Sequence, residues 1–326
     1  MSTGTEARPA TVEEPVMDPS MPICDPHHHM WDRPGNRYMP QDLLQDVNGN
    51  NVEKTVFIDC HSAYRKEGPE EMRPLGETEF MEKIAAQYTH AKTQIAAGIV
   101  GHANLVLGDA VAAVLEAHMD AGKGYFKGIR HSTAWAPNLT SYMNQPAGIM
   151  MDARFREGFA RLGKLKLTFD AWLYSHQLPE VADLARAFPR TTIILDHVGG
   201  PISVGAPDNE DIERQWRKGI AGLKNLPNVY IKLGGLGMPV CGFGWEKRAQ
   251  KPGSVELAQA MLPCYLYCIE QCGPERCMFE SNFPVDKVSY SYTAMWNAFK
   301  RIATGFSASE KSALFHDTAV KAYGLK

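Results

Sequence analysis

The sequence predicts an α/β fold of the (β/α)8 barrel type, built as a single domain. Eight short apolar runs rich in Val, Ile, Phe and Thr recur along the chain, and stretches with helical periodicity separate them. Regular alternation of strands and helices implies parallel strands with right-handed crossovers, and eight such units close a barrel. The alternative is an open doubly wound sheet. That fold usually has a Gly-rich phosphate turn after its first strand, where this chain has "HHHMWD".

The predicted strands are short and evenly distributed. In chain order they cover 21–29, 54–61, 93–104, 125–132, 166–174, 191–199, 229–236 and 276–284. The predicted helices between them include "GETEFMEKIAAQYTHA", "GDAVAAVLEAHMDAG", "LPEVADLARAFP" and "SVELAQAMLPCYLYCIEQCG". The second of these is followed by "KG", and glycines commonly end helices.

Composition narrows the class of partner. The 326 residues are 44% hydrophobic and 22% charged, and their formal net charge is -3 without a long basic run. This argues against nucleic acid or a membrane as partner, and no run reaches the roughly 18 apolar residues of a membrane span. Residues 1–20 are predicted to be a flexible tail and residues 21–326 the barrel. Seven cysteines without a CxxC pair favour a reducing cytoplasm.

The segment "DPHHHMWD" at residues 25–32 carries the first candidate site residues. In a barrel, chemistry gathers at the C-terminal ends of the strands. The spacing of His27 and His29 places both side chains on one face of a strand, and His28 points to the other face. The pair is therefore either a pair of metal ligands or a hydrogen-bonded core pair.

Other strand ends supply further polar side chains. His176 follows the fifth run, His197 ends the sixth, and Arg130 and His131 end the fourth. Because the ends of parallel strands meet at one mouth, we expect a functional histidine cluster there.

Several strand-end motifs resemble one known family. "DPHHHMWD" resembles the Asp–x–His–x–His–x–Trp opening of the amidohydrolase superfamily. "KGIRH", "LDHVGGP", "YIKLGGL" and "MFESNFP" resemble its later strand-end motifs in the same order. "LFHDTAVKAYGL" resembles its C-terminal helix, so the resemblance runs from about residue 21 to the C-terminus. The match is closest to the amidohydrolase-related branch, which contains sugar lactonases, 2-pyrone-4,6-dicarboxylate lactonase and some aromatic decarboxylases.

This resemblance implies a (β/α)8 barrel with hydrolysis or decarboxylation at its mouth. By position, His27 and His29 match the paired histidines of the family and His197 matches its strand-six histidine. His176 lies where metal-using members have a strand-five histidine, and Arg130 lies where lactonases hold a substrate carboxylate or hydroxyl. The implied metal ligands are His27, His29 and His176. Zinc is the first expectation and manganese the second, and metal-independent chemistry stays open.

One departure from the family pattern lies at the eighth strand. The family has Ser–Asp–x–Pro there, whereas this chain has Asn282 in place of the aspartate. A carboxamide is not a base near neutral pH, and general-base help is worth about 10²–10⁴ in rate. The chain must therefore replace the aspartate, use another mechanism, or lack activity.

Three groups could replace the missing base. One is a zinc ion held by histidines alone, which lowers the pKa of bound water to about 7. Another is Glu280, which is predicted to face the lumen either as a base with a raised pKa or in a structural ion pair with a lumen Arg or Lys. The third is Asp286, interpreted as a solvated loop residue. Asp25 is predicted to face the lumen and to orient an imidazole.

The loops suggest the substrate. Arg130 and His131, with Tyr64 and Trp135 from neighbouring loops, are the predicted substrate-binding residues, and they suit a ring-shaped small molecule with a carboxylate. The expected function is a hydrolase that opens a lactone or related ester, with His197, Asn282 and Glu280 as catalytic residues. A nonoxidative decarboxylase of an aromatic acid and an inert ligand-binding barrel are the alternatives. A homo-oligomer is compatible with the sequence.

Overall fold

The computed structural model describes residues 13–137, 139 and 145–326. In that part of the chain the strands are β1 (Pro22–His28), β2 (Trp31–Arg33), β3 (Asn36–Tyr38), β4 (Asn51–Ile58), β5 (Gln94–Gly101), β6 (Phe126–Ile129), β7 (Thr168–Ala171), β8 (Ile193–Leu195), β9 (Val229–Leu233) and β10 (Cys277–Phe279). The helices are α1 (Pro40–Asp46), α2 (Leu75–Tyr88), α3 (Val111–Gly122), α4 (Ala153–Leu165), α5 (Leu178–Ala187), α6 (Glu210–Ala221), α7 (Ser254–Cys272), α8 (Tyr292–Ile302), α9 (Ala308–Ser312) and α10 (Thr318–Tyr323).

Eight strands form one parallel sheet in the order β1-β4-β5-β6-β7-β8-β9-β10. The two outer strands meet just past their ends. Asn282 donates its main-chain N–H to the carbonyl of His27 at 2.9 Å, and His29 donates to the carbonyl of Phe283 at 2.8 Å. Strands β2 and β3 form a separate antiparallel hairpin. The (β/α)8 barrel predicted from the sequence is confirmed.

Helix α4 illustrates how the sequence places a helix on this sheet. The Asp152 side chain caps its first turn by accepting from the main-chain N–H groups of Arg154 and Phe155. Phe155, Phe159 and Leu162 recur at helical spacing and are buried. Since these side chains share one face, the helix packs that face onto the sheet, where Phe159 meets Phe169 of β7.

The inside of the barrel is filled by side chains at every second strand position. They pack in one cluster with the end of the chain: Cys24, Val56, Ile58, Val100, Ile194, Tyr230, Met278, Ala319, Tyr323 and Leu325. Because α10 and the residues after it supply the last three, the C-terminal segment lies against the filled part of the lumen. The catalytic end of such a barrel is the opposite one, where the strands end.

Several predicted strands are longer than the observed ones. The run 166–174 contains only Thr168–Ala171 of β7, and the run 191–199 contains only Ile193–Leu195 of β8. Short 3-10 turns follow, at Ser175–Gln177 and His197–Gly199. Apolar residues continue past the strand ends because these turns are also buried, so hydrophobicity alone did not mark the boundary.

A register irregularity in β1 changes the direction of Asp25. The pairing of β1 with β4 shifts between Asp25 and His28. Asp25 accepts from the main-chain N–H of Ser281 at 2.9 Å and from the hydroxyl of Tyr292 in α8 at 3.0 Å. The prediction that it orients an imidazole is therefore wrong, because the bulge turns it toward α8.

The described part of the predicted tail, residues 13–20, contacts the barrel. The side chain of Glu14 accepts from the main-chain N–H of Ser254 at 2.6 Å, and Met17 bonds to Asn297 of α8 at 2.8 Å. The first 12 residues of the predicted tail lie outside the described residues. Within the described ranges, no helix has the length and apolarity needed to cross a membrane.

The layer between sheet and helices should dominate stability. Phe279 of β10 is fully buried and stacks on Phe299 of α8 with ring centroids 4.6 Å apart. We expect Phe279→Ala to lower the free energy of unfolding by about 3–5 kcal/mol, because it removes buried apolar area and leaves a cavity. Urea denaturation measures this loss. Val288→Ala is the control, since that side chain is 48% exposed; similar losses in the two variants would contradict the prediction.

Candidate active site

Buried charged side chains line the lumen just above its apolar layer. Lys232 lies two residues after Tyr230, and Glu280 lies two after Met278, so both continue the inward-facing positions of their strands. Lys232 Nζ lies 2.6 Å from Asp170 Oδ1 and 2.9 Å from Asp196 Oδ1. Burial alone would lower the pKa of Lys232, but the two carboxylates raise it, so the ammonium stays charged.

Lys232, Asp170 and Asp196 were not predicted from the sequence as site residues. The signal was present, since each is a charged residue within or directly after a short apolar strand. All three are fully buried, and buried charges persist in proteins when they are paired. The hydroxyl of Tyr323 in α10 also donates to Asp170 Oδ1 at 2.5 Å, so the C-terminal helix contacts the site from below.

Glu280 connects two of the predicted histidines. Its Oε1 lies 2.6 Å from His197 Nδ1 and accepts from the His197 main-chain N–H at 3.1 Å, and its Oε2 lies 2.8 Å from His27 Nδ1. Burial would raise the pKa of Glu280, but His197 and His27 lower it to about 2. The expected raised pKa is therefore wrong, and the carboxylate pairs with two histidines rather than with the Arg or Lys of the ion-pair alternative.

His197 is the one imidazole of this group whose pKa is raised. Burial opposes the shift, but the charge of Glu280 and its hydrogen bond outweigh it. The ring lies 4.5 Å from that of His27 and 5.1 Å from that of Trp172, between centroids. Because Nδ1 donates to Glu280, Nε2 is the nitrogen of His197 that can exchange a proton with a ligand.

His27 and His29 face each other through their Nε2 atoms, 3.2 Å apart. His29 donates Nδ1–H to the carbonyl of Ile58 at 2.8 Å, so its Nε2 carries a lone pair. If His27 donates Nδ1–H to Glu280, two lone pairs meet and the pair is prepared for a cation. If His27 Nδ1 instead accepts a hydrogen bond from Lys232, 3.2 Å away, the proton of His27 lies on Nε2 and is donated to His29 Nε2.

The donor atoms at this point suit a divalent metal. The Nε2–Nε2 distance of 3.2 Å is close to the about 3.3 Å expected for two tetrahedral zinc ligands. Asp196 Oδ2 is buried and has no hydrogen-bond partner among the described residues. Burial, then the charge of Lys232, lowers the pKa of His27 to about 4, so this imidazole is neutral near pH 7. One metal-capable group in the described chain joins His27, Asp196 and His197.

His176 does not join that group. Because β7 ends at Ala171, His176 lies five residues further on, in a 3-10 turn at the rim. Its ring packs edge-on against Trp135 with centroids 5.7 Å apart. The metal-capable groups in the described part of the chain do not include it, and Asp196 lies near His27 instead.

Arg130 reaches the histidines from β6. Its Nη1 lies 3.4 Å from His27 Nε2 and 3.6 Å from Asp196 Oδ2, and Nη2 donates to the main-chain carbonyl of Asp59. Arg130 Nε is buried without a hydrogen-bond partner among the described residues. The guanidinium is thus fixed beside the histidines, and its Nε–H group can still donate a hydrogen bond.

The other predicted substrate-binding residues have structural contacts. His131 Nδ1 accepts from the main-chain N–H of Leu105 at 3.1 Å, and its ring packs on Phe155 of α4. These contacts occupy the ring within the protein, and its role as a substrate contact stays a prediction. Tyr64 donates to Asp59 Oδ1 at 2.6 Å, and Trp135 lies at the rim with His176.

Asn282 and Asp286 form a buried pair. Asn282 Nδ2 donates to Asp286 Oδ1 at 2.8 Å, and the hydroxyl of Tyr290 donates to Asp286 Oδ2 at 2.6 Å. Asp286 also accepts from the main-chain N–H of Gly237 at 3.0 Å. The interpretation of Asp286 as a solvated residue is wrong: it is fully buried, and burial raises its pKa to about 6.

Comparison with known proteins identifies the family. The family model described as amidohydrolase matches residues 24–325. The chain belongs to the amidohydrolase family. This membership makes the protein an amidohydrolase-type hydrolase, and the resemblance predicted from the strand-end motifs is confirmed.

Three similar proteins mark its place in the family. The uncharacterized protein y4mH of Sinorhizobium fredii is 34% identical over 92% of this chain and 98% of its own length. An L-fucono-1,5-lactonase of Burkholderia multivorans is 28% identical over 61% of this chain and 63% of its own length. An amidohydrolase structure from B. multivorans with bound zinc superposes with a TM-score of 0.73 at 23% identity, covering 93% and 99% of the two chains.

His28 separates the roles of the three consecutive histidines. It is fully buried, its Nε2 lies 2.9 Å from Thr55 Oγ1, and its ring lies 6.0 Å from that of Phe57. We expect His28→Gln to keep hydrolytic kcat/KM within a small factor, because it faces away from the lumen. His27→Gln and His29→Gln should abolish activity. Equal losses at all three positions, in variants with matching circular dichroism spectra, would contradict this assignment.

Proposed function

We propose that this amidohydrolase opens a lactone or a related carboxylic ester by attack of a water molecule held among the histidines of the barrel mouth. The observation that carries the proposal is the Glu280 carboxylate, which joins His27 and His197 through their Nδ1 atoms at 2.8 and 2.6 Å. This arrangement leaves the Nε2 of His197 for water or substrate, whereas the Nε2 of His27 faces His29 and Arg130.

His197 is the proposed general base. Its Nδ1–H is held by Glu280, so Nε2 takes a proton from the attacking water while the water oxygen bonds to the carbonyl carbon. The protonated imidazole then gives that proton to the ester oxygen of the lactone ring as the bond between this oxygen and the carbonyl carbon breaks. The product is the open hydroxy acid. Glu280 stabilises the imidazolium formed in the first step and stays ionised throughout.

Arg130 is proposed to stabilise negative charge on the substrate. Its guanidinium lies beside His27 and is held in place by Asp196 and the carbonyl of Asp59. Such a fixed cation suits the oxyanion of a tetrahedral intermediate, or a carboxylate on the substrate. Next to His197, Trp172 and Tyr174 pack with Ala134 and Ala136 in one apolar cluster, which suits the ring of a cyclic ester.

A metal is compatible with the same site. Two sets of residues would hold it: the Nε2 atoms of His27 and His29, 3.2 Å apart, or the group of His27, Asp196 and His197, whose ligand atoms lie within 4.8 Å of one another. A divalent ion supplies Lewis-acid polarisation of a carbonyl oxygen when bound. Lys232 keeps Asp196 in place, and a proton on His27 Nδ1 facing Glu280, 2.8 Å away, would leave the His27 Nε2 as the metal-binding atom.

The direct test is product analysis on sugar lactones, L-fucono-1,5-lactone included, and on lactones with aromatic or carboxylate groups. The proposal expects one proton released per lactone opened, followed with a pH indicator, and a ring-opened acid as product. Release of carbon dioxide from aromatic acids without turnover of any lactone would overturn it and favour a decarboxylase.

Removing the charge of Glu280 should move the pH dependence of the reaction. The base form of His197 exists above its raised pKa, so kcat/KM should rise with pH through that value. In Glu280→Gln the carboxylate no longer raises this pKa while burial still lowers it. We expect the rising limb to move to lower pH and kcat/KM to fall by about 10²-fold. The half-exposed Glu256 provides the control Glu256→Gln. If the rising limb of the pH–rate profile lies at the same pH in Glu280→Gln as in the parent, the result would contradict the role of His197.

Restoring the family aspartate should not rescue activity. In Asn282→Asp two carboxylates would face each other, because Asn282 Nδ2 now donates to Asp286. We expect lower kcat/KM and lower stability. The exchanged pair Asn282→Asp/Asp286→Asn should recover stability without exceeding the parent in rate. A gain of about 10²–10⁴ in either variant would mean that a general base had been lost at this position.

A further inference from the structure

A second group of metal-capable side chains lies on the neighbouring wall of the barrel mouth. Asp59 directly follows β4, His61 comes two residues later, and His102 directly follows β5. One ligand atom of each lies within 4.8 Å of the other two. The steps proposed for hydrolysis do not use these side chains.

Two of the three donors are oriented by fixed contacts. His102 Nδ1 lies 3.0 Å from the carbonyl of Arg130, so Nδ1–H donates there and Nε2 carries the lone pair. Asp59 Oδ1 accepts the hydroxyl of Tyr64 at 2.6 Å, and its Oδ2 lies 3.4 Å from His61 Nε2. That last distance is close to the about 3.3 Å expected between two ligands of one tetrahedral zinc ion.

His61 is placed by backbone and stacking. Its φ of 59° lies in the left-handed region, which non-glycine residues adopt infrequently. Its ring stacks on that of Tyr64 with centroids 4.9 Å apart and a tilt of 22°, and lies 5.5 Å from the ring of His102. Tyr64 thus contacts both Asp59 and His61, so it fixes two of the three donors relative to each other.

Access and separation both favour an independent site. Asp59 is buried whereas the side chain of His61 is 39% exposed, so an ion can reach the donors from solvent. Arg130 lies between the two groups, with Nη2 on the carbonyl of Asp59 and Nη1 at 3.4 Å from His27 Nε2. Its guanidinium keeps one ion from being shared by both groups.

We propose that Asp59, His61 and His102 form a second divalent transition-metal site, separate from the His27–His29 pair. Two imidazoles and one carboxylate suit zinc and neighbouring divalent ions and leave coordination positions open. An ion there ties the segment after β4 to the end of β5. The open positions face the mouth, where water or a ligand oxygen can complete the coordination.

The test is metal binding by chelator-stripped protein, measured by competition between zinc and a chromophoric chelator and by the visible spectrum with cobalt. His61→Gln and His102→Gln should each weaken one equivalent of zinc by at least about tenfold and alter the cobalt spectrum. His29→Gln should leave that equivalent in place. His90→Gln is the matched control, because His90 is an exposed histidine in the turn between α2 and β5 and belongs to neither group.

Three results would overturn the proposal. The first is the absence of zinc binding by the stripped parent protein. The second is loss of all bound zinc in His29→Gln with none lost in His61→Gln, which would assign the metal to the first group alone. The third is an equal loss in His90→Gln, which would indicate adventitious binding to surface histidines. None of these results bears on lactone opening, which is measured separately.

Discussion

The buried ammonium of Lys232 is the interaction on which the site depends. It neutralises two carboxylates in the lumen, Asp170 at 2.6 Å and Asp196 at 2.9 Å, where water cannot do so. Removing one partner of such a group leaves an uncompensated buried charge, which typically costs about 3–5 kcal/mol. Asp196 in turn lies beside Arg130, and Lys232 lies beside His27, so the positions of the outer residues follow from this contact.

Charge balance connects this interaction to chemistry. Three carboxylates and three cationic groups meet at the described lumen when His197 holds its proton: Asp170, Asp196, Glu280, Lys232, Arg130 and His197. Buried charges need such pairing, and loss of the His197 proton changes the net charge of the group by one unit. A single proton on one imidazole therefore links the structural ion pairs to the proposed reaction. The tautomer of His27 matters as well. It decides whether the Nε2 atoms of His27 and His29 can both bind a cation or instead share a hydrogen bond.

The site was predictable in part. The alternation of His27, His28 and His29 follows from strand geometry, and His197 and Arg130 follow from their positions at strand ends. His176 was misplaced because the apolar run 166–174 continues beyond the end of β7, and hydrophobicity does not show where a buried strand becomes a buried turn. Asp286 was misplaced for a related reason: a loop residue becomes buried when Tyr290 and Gly237 close over it.

The sequence by itself determined the barrel, because eight alternating units with period-two strands have few other ways to bury their apolar faces. It also placed the imidazoles of His27, His29 and His197 at strand ends. Only the tertiary structure decided the protonation chemistry, since the low pKa of Glu280 and the raised pKa of His197 arise from contacts between residues 83 positions apart in the chain. The direction of Asp25 was likewise decided by a local register shift. Electrostatic energies depend on distances of a few ångströms between distant segments, and these distances exist only once the barrel has closed.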